Sequence, residues 1–185
     1  EMEVLKRLQE LELEKTGQIF QPFSMLELSQ FYGIELDDFA HEVAILSLWL
    51  AEHQMNLEFK VEFGEALPSL PLKSSNGIVS GNSLRLSWEE LCERNGGEIY
   101  VLGNPPYIGA KNLEDHHKED MNHVFPSLQS VGLLDYVCCW FFKASEYMRF
   151  DGAKIKTAFV STSSITQGEQ VAVLWPVILT GNIEI

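Results

Sequence analysis

The stretch from residue 98 to residue 107 constrains this chain most. The apolar run Ile99-Tyr100-Val101-Leu102, entered through Glu98, shows no alternation and stops on Gly103-Asn104-Pro105-Pro106-Tyr107. An unalternating run of this kind predicts a strand covered on both faces inside a parallel sheet. Two consecutive prolines then fix two φ angles and supply no amide donors, so the strand cannot continue as a ladder member. The expected object is a buried strand ending in a rigid corner at its carboxyl edge.

The rest of the chain predicts elements that suit such a sheet. Val4, Leu5, Leu8 and Leu11 recur at helical spacing over residues 1 to 15, and that helix starts with no capping signal. A short strand is expected over Phe31–Leu36, followed by Asp37 and Asp38 as caps for a long helix to about Met55. A second strand is expected over Ile78–Ser83, one or two helical turns over Trp88–Arg94, a helix over Leu134–Arg149 and a fourth strand over Thr157–Ser161. Thr166 with Glu169 gives a capping-box signature for a last helix that Pro176 should kink or end, and Asn182–Ile185 predicts a further strand. Strands alternating with helices imply the α/β class, with an open, mostly parallel sheet and helices on both faces.

With 185 residues, 45% of them hydrophobic, the chain can bury one real core and is expected to form one compact domain or a large part of one. No apolar run approaches the roughly 20 residues of a membrane span, so no membrane association is expected. Cys92, Cys138 and Cys139 lack paired CxxC spacing and are expected as small structural residues. His116, His117 and His123, interleaved with Glu114, Asp115, Glu119 and Asp120, are expected on a solvated face rather than around a metal. Trp49, Trp88, Trp140 and Trp175 are assigned to packing. The formal net charge of −14 disfavours a nucleic-acid grip from this chain alone, because phosphate binding depends on Lys and Arg.

Ligands of open parallel sheets sit beyond the carboxyl ends of the strands. There, Asn104-Pro105-Pro106-Tyr107 offers an amide oxygen, proline carbonyls and an aromatic face. That set suits a planar substrate carrying an NH₂ group: Asn104 Oδ1 and the Pro105 carbonyl each accept one hydrogen, and Tyr107 stacks on the ring. Two fixed acceptors favour the pyramidal nitrogen of a transition state over the planar ground state, which makes a poor aromatic amine a better nucleophile.

The tetrapeptide resembles the catalytic motif of the amino-methyltransferases, whose members methylate adenine-N6 in DNA or, in related branches, RNA or a glutamine amide. The blocks Gly33–Asp37, Asn104–Gly109, Leu134-Asp135-Tyr136 and Ala158–Gln170 together resemble the N6-adenine-specific DNA methyltransferases of large bacterial restriction–modification systems, over roughly residues 31 to 175. The resemblance implies a Rossmann-like, S-adenosyl-L-methionine-dependent fold in the bacterial cytoplasm. It also implies catalytic Asn104, Pro105, Pro106 and Tyr107, a Glu35 carboxylate on the cofactor ribose next to Leu36, and Asn82 and Ser83 beside the cofactor adenine. Family members often carry aspartate where Asn82 stands. No Gly-x-Gly follows a strand, so residues 1 to 185 are expected to be a partial catalytic domain. Its missing parts would be the first strand with its glycine-rich turn and the downstream target-recognition region, and it would bind the cofactor weakly. Double-stranded DNA is then the expected partner, gripped mainly by other regions, with homodimerisation through an open sheet edge. A glutamine-N5 protein methyltransferase and a catalytically silent methyltransferase-like module are the alternatives.

Overall fold

A computed structural model describes residues 2–18, 26–64, 77–149, 154–181 and 183–184. These fall into two compact units, 1–81 and 82–185.

In the first unit, α1 (Met2–Thr16) buries only Leu5, which joins Phe59 and Phe63 in a small core while Val4, Leu8 and Leu13 stay exposed. Lys6 Nζ meets Glu62 at 2.9 Å and adds a surface ion pair to that contact. Strand β1 (Gly33–Glu35) feeds α2 (Asp38–Phe63) and pairs in parallel with β2 (Ile78–Ser80), Gly33 opposite Ile78 and Glu35 opposite Ser80. Asp37 caps α2 as expected: its Oδ1 accepts from the amides of Phe39 at 2.9 Å and Ala40 at 3.1 Å. The helix outruns the expected end near Met55 and stops at Gly64, whose φ of 84° is the left-handed cap conformation that glycine adopts without strain. His41 Nε2 lies 3.1 Å from the Ile78 carbonyl and ties α2 to β2. Gly77 is required for a different reason, because a Cβ there would lie 2.3 Å from the Phe31 carbonyl oxygen.

The second unit carries α3 (Trp88–Leu91), β3 (Glu98–Gly103), α4 (Asp115–Val124), α5 (Cys138–Met148), β4 (Lys154–Phe159) and α6 (Gln170–Ile178). Strands β3 and β4 run parallel, Glu98 opposite Lys154 and Gly103 opposite Phe159, and the Val160 amide extends the ladder by donating to Gly103 O at 3.0 Å. The core gathers Leu84, Met121, Phe125, Leu134, Val137, Cys138, Cys139, Leu174 and Ile178 between α4, α5 and α6. Three indoles are fixed by their N–H groups: Trp88 donates to Ser83 O, Trp140 to Ser83 Oγ and Trp175 to Ile165 O. Cys138 and Cys139 are buried free thiols.

Several expectations are corrected. Among the described residues the parallel pairing is seen as two-stranded pairs, β1–β2 in the first unit and β3–β4 in the second. Strand β3 is not covered on both faces, since Tyr100 is 60% and Leu102 75% exposed; an apolar run signals a capacity for burial, and burial needs partners. The helix expected from Leu134 begins at Cys138, because residues 131–133 form a 3-10 turn first. Thr166 and Glu169 form no capping box: Ser163–Thr166 is a 3-10 turn, and α6 starts from a Glu169 that makes no side-chain cap. Pro176 lies inside α6, two residues before its end. Of the expected last strand, Asn182 and Ile185 lie outside the described residues, and Ile183 and Glu184 are not in a strand.

Candidate active site

The corner Asn104-Pro105-Pro106-Tyr107 begins directly after β3, at the carboxyl end of a parallel pair. Its approach is tight, since a Cβ on Gly103 would meet two ring carbons of Phe159 at 3.2 Å. Pro105 is buried and anchors the turn, while Asn104, Pro106 and Tyr107 are exposed, Tyr107 at 53%. Neither the Asn104 amide nor the Tyr107 hydroxyl makes a side-chain hydrogen bond to a described residue, so both remain available to a ligand.

Behind the corner, two backbone groups regain partners. Ile108 O accepts from the Tyr136 amide at 2.9 Å, and the Ala110 amide donates to Asp135 Oδ1 at 3.0 Å. Asp135 Oδ2 accepts from Ser164 Oγ at 2.6 Å and Gln170 Nε2 at 3.1 Å. Gln170 is itself saturated: Nε2 also donates to Ser164 O at 2.7 Å, and Oε1 accepts from the Asp135 amide at 3.3 Å and the Cys138 thiol at 3.4 Å. Burial pushes the Asp135 carboxyl up. The donors Ser164, Gln170 and Ala110 outweigh it and hold the group below the usual carboxylate range.

A second carboxylate organises an adjoining network in this unit. Asp120, buried on α4, accepts from Asn82 Nδ2 at 2.9 Å, Arg85 Nε at 2.6 Å and the Tyr136 hydroxyl at 2.7 Å. Burial raises its pKa, and the Tyr136, Asn82 and Arg85 hydrogen bonds, with the Arg85 charge, bring it below the ordinary value. The Tyr136 phenol is driven upward by burial and by the Asp120 carboxylate.

The family model for "MmeI, DNA-methyltransferase domain" matches residues 1–185. This chain belongs to that family. It is 46% identical over 187 residues to a Bacillus subtilis (strain 168) protein described as DNA methyltransferase A, covering 100% of this chain and 20% of that protein. A solved structure of the Type IIL restriction-modification enzyme MmeI in complex with DNA superposes with a TM-score of 0.79 at 38% identity, over 96% of this chain and 25% of that one. The chain thus spans a fifth to a quarter of these relatives.

Within this MmeI-family domain, the expected site residues occupy three places. The tetrapeptide stands after β3. Glu35 closes β1 half-buried, with a carboxylate that has no hydrogen-bond or ion-pair partner among the described residues, and Leu36 beside it is 75% exposed. Asn82 and Ser83 lie past the end of β2 in a turn, and their side chains are already engaged: Asn82 Oδ1 accepts from the Leu84 amide at 2.9 Å while Nδ2 reaches Asp120, and Ser83 Oγ receives the Trp140 indole.

Sequence reasoning missed Asp120 and Asp135 as organising groups. Asp120 belongs to the acidic, histidine-rich stretch expected on a solvated face, yet it is buried on the same side of α4 as Met121 and Val124, and that helical spacing is the available signal. His117 packs edge-on against Tyr136, with ring centroids 4.7 Å apart. Among the described residues, no group of three His, Cys, Asp or Glu side chains is arranged to hold a metal ion. No described helix is long and apolar enough to cross a membrane. A surface hollow of about 320 Å³, lined by Leu84, His123, Phe142 and Lys143, contains none of the expected site residues. Lys143 there donates to Leu86 O and is lowered to about 8 by burial.

Proposed function

We propose that this chain forms part of a Rossmann-like catalytic domain of a restriction–modification protein that methylates the exocyclic N6 amino group of adenine in double-stranded DNA, using S-adenosyl-L-methionine. The observation that carries this reading is the position of Asn104–Tyr107: an acceptor-rich corner with unengaged amide and phenol groups at the carboxyl end of a parallel strand. Family membership and the DNA-methyltransferase relative support it.

The donor set fits the cofactor in part. Glu35 offers a carboxylate without a partner among the described residues, suited to two ribose hydroxyl donors. Asn82 is engaged through both its amide oxygen and its nitrogen, so it would meet an adenine ring mainly through shape and backbone, whereas Ser83 Oγ accepts from Trp140 and keeps a hydroxyl hydrogen to donate. The cofactor, when bound, supplies an electrophilic sulfonium methyl.

The chain's own residues then do the rest. A target adenine must leave the duplex stack to expose its amino group. Tyr107, half-exposed, stacks on the extruded ring, while Asn104 Oδ1 and the Pro105 carbonyl accept the two amino hydrogens. Held this way, the nitrogen lone pair would be turned out of conjugation and offered to the sulfonium methyl; the leaving group would be the neutral thioether, and the surplus amino proton would pass by way of the Asn104 and Pro105 acceptors to solvent.

The test is methyl transfer from radiolabelled S-adenosyl-L-methionine by the full-length polypeptide carrying this chain, on duplex DNA and on a glutamine-containing peptide. Label in N6-methyladenine, lost on Asn104→Ala, supports the reading. Label in the peptide alone, or undiminished activity of N104A, overturns it.

A further inference from the structure

The catalytic corner has little of its own to hold its far side. After Tyr107 no regular element forms until the 3-10 turn Ala110–Asn112, and the two prolines donate no hydrogen bonds. The first amide after Ile108 that could tether this loop belongs to Gly109 or Ala110, and the Ala110 amide is captured by a carboxylate.

We infer that Asp135 is a positioning residue for methyl transfer, an inference that rests on the function proposed above. One oxygen of Asp135 receives the Ala110 amide; the other receives Ser164 and Gln170, in the 3-10 turn and helix start that follow β4. The group therefore joins the end of the corner after β3 to the segment after the neighbouring parallel strand. Both segments lie at the carboxyl edge of the β3–β4 pair, where the corner begins. The adjacent Tyr136 amide fixes Ile108 O, so two consecutive residues grip both sides of residue 109. A Cβ on residue 109 would sit 3.7 Å from Asp135 Oδ1, an ordinary contact, so the grip itself makes no demand for glycine there. An ionised carboxylate is the right group because all three partners are donors.

The consequence is kinetic rather than a matter of affinity. Asp135 touches neither Asn104 nor Tyr107, but the loop it pins follows them directly, and a displacement of about 1 Å in a reacting geometry can lower a rate about 100-fold.

The experiment uses the full-length polypeptide and compares Asp135→Ala, Asp135→Asn and Ser164→Ala with wild type. We expect D135A to lower kcat about 100-fold while KM for S-adenosyl-L-methionine and Kd for duplex DNA change less than threefold. D135N keeps an acceptor for Ala110 and should recover at least tenfold of that loss. A kcat for D135A within threefold of wild type overturns the inference, as does a parallel loss of kcat, cofactor binding and DNA binding without rescue by D135N. Should D135A fail to fold, S164A decides: a kcat drop of several-fold at unchanged affinities supports positioning, and wild-type kcat refutes it. Wild type that transfers no methyl to DNA removes the proposed function, and this inference falls with it; an active wild type with an indifferent Asp135 removes only the inference.

Discussion

The Tyr136 hydroxyl donates to Asp120 Oδ2 at 2.7 Å inside the core of the second unit, and Asn82 Nδ2 reaches the same oxygen at 2.9 Å. One buried carboxylate thus joins α4, the turn after β2 and the segment leading into α5. Removing a partner from a buried polar group leaves its desolvation uncompensated, at about 1–3 kcal/mol. Tyr136→Phe is therefore expected to lower the free energy of unfolding by an amount in that range, read as a lower urea midpoint, and Asp120→Ala, which strands three donors, by more. Denaturation curves with unchanged m-values would confirm the effect; a Tyr136→Phe midpoint equal to wild type would count against it.

Acid stability follows from two carboxylates, the buried Asp120 and the half-buried Asp135. Asp120 and Asp135 both titrate below their ordinary value in the folded chain, so the folded state binds fewer protons than the unfolded one around that value. Their contribution is fully present above the unfolded carboxylate pKa of about 3.9 and is lost as pH falls through the lower folded values. The doubly substituted Asp120→Asn, Asp135→Asn chain should show a flatter loss of stability below about pH 4 than wild type, read from denaturation midpoints across the acid range.

Lys143 shows the opposite charge type. Burial lowers it to about 8, so between that value and the unfolded lysine pKa of about 10.4 the unfolded chain holds the extra proton and stability rises with pH. Lys143→Met should remove that rise, measured as the difference in midpoint between pH 8 and pH 10. At pH 8 Lys143 should also acylate ahead of fully solvated lysines in peptide mapping. Cys138, pushed up to about 12 by burial, should stay unreactive to thiol reagents until the chain unfolds.

Two glycines should differ in their tolerance of alanine. At Gly77 the new Cβ would stand 2.3 Å from the Phe31 carbonyl, a backbone atom that cannot swing away. At Gly103 the obstacle is the Phe159 ring at 3.2 Å, which can tilt but is packed against Phe141 with centroids 5.2 Å apart. Gly77→Ala is expected to destabilise by more than the roughly 1–3 kcal/mol typical of an overpacked side chain, and Gly103→Ala by an amount within that range. Thermal melts of the two variants would rank them; a reversed order would contradict the geometry.

What could be read in advance was mostly local. The Asp37 cap, the strand before it and the corner after residue 103 depend on neighbouring residues, and each stands where the sequence implied. The failures share a cause in distant partners. Strand β3 looked doubly covered because its run is apolar, yet the covering of Tyr100 and Leu102 is set by what packs there. Thr166 and Glu169 looked like a capping pair, but Ser164 and Gln170 on either side are drawn to Asp135, and the segment winds into a 3-10 turn. Asp120 looked solvated because charge was counted without the face it occupies. The expected roles of Glu35, Asn82 and Ser83 came from resemblance, and no spacing rule would have shown that the Asn82 amide is bound at both ends.

The three groups that close on Asp135 are spaced widely along the chain, at residues 110, 164 and 170. In chain order the corner comes first, then Asp135, and last the residues at 164 and 170 that complete the set of donors on that carboxylate. A nascent chain paused short of residue 170 would therefore display the tetrapeptide without its finished shape, and the order of translation itself sets when the corner is completed.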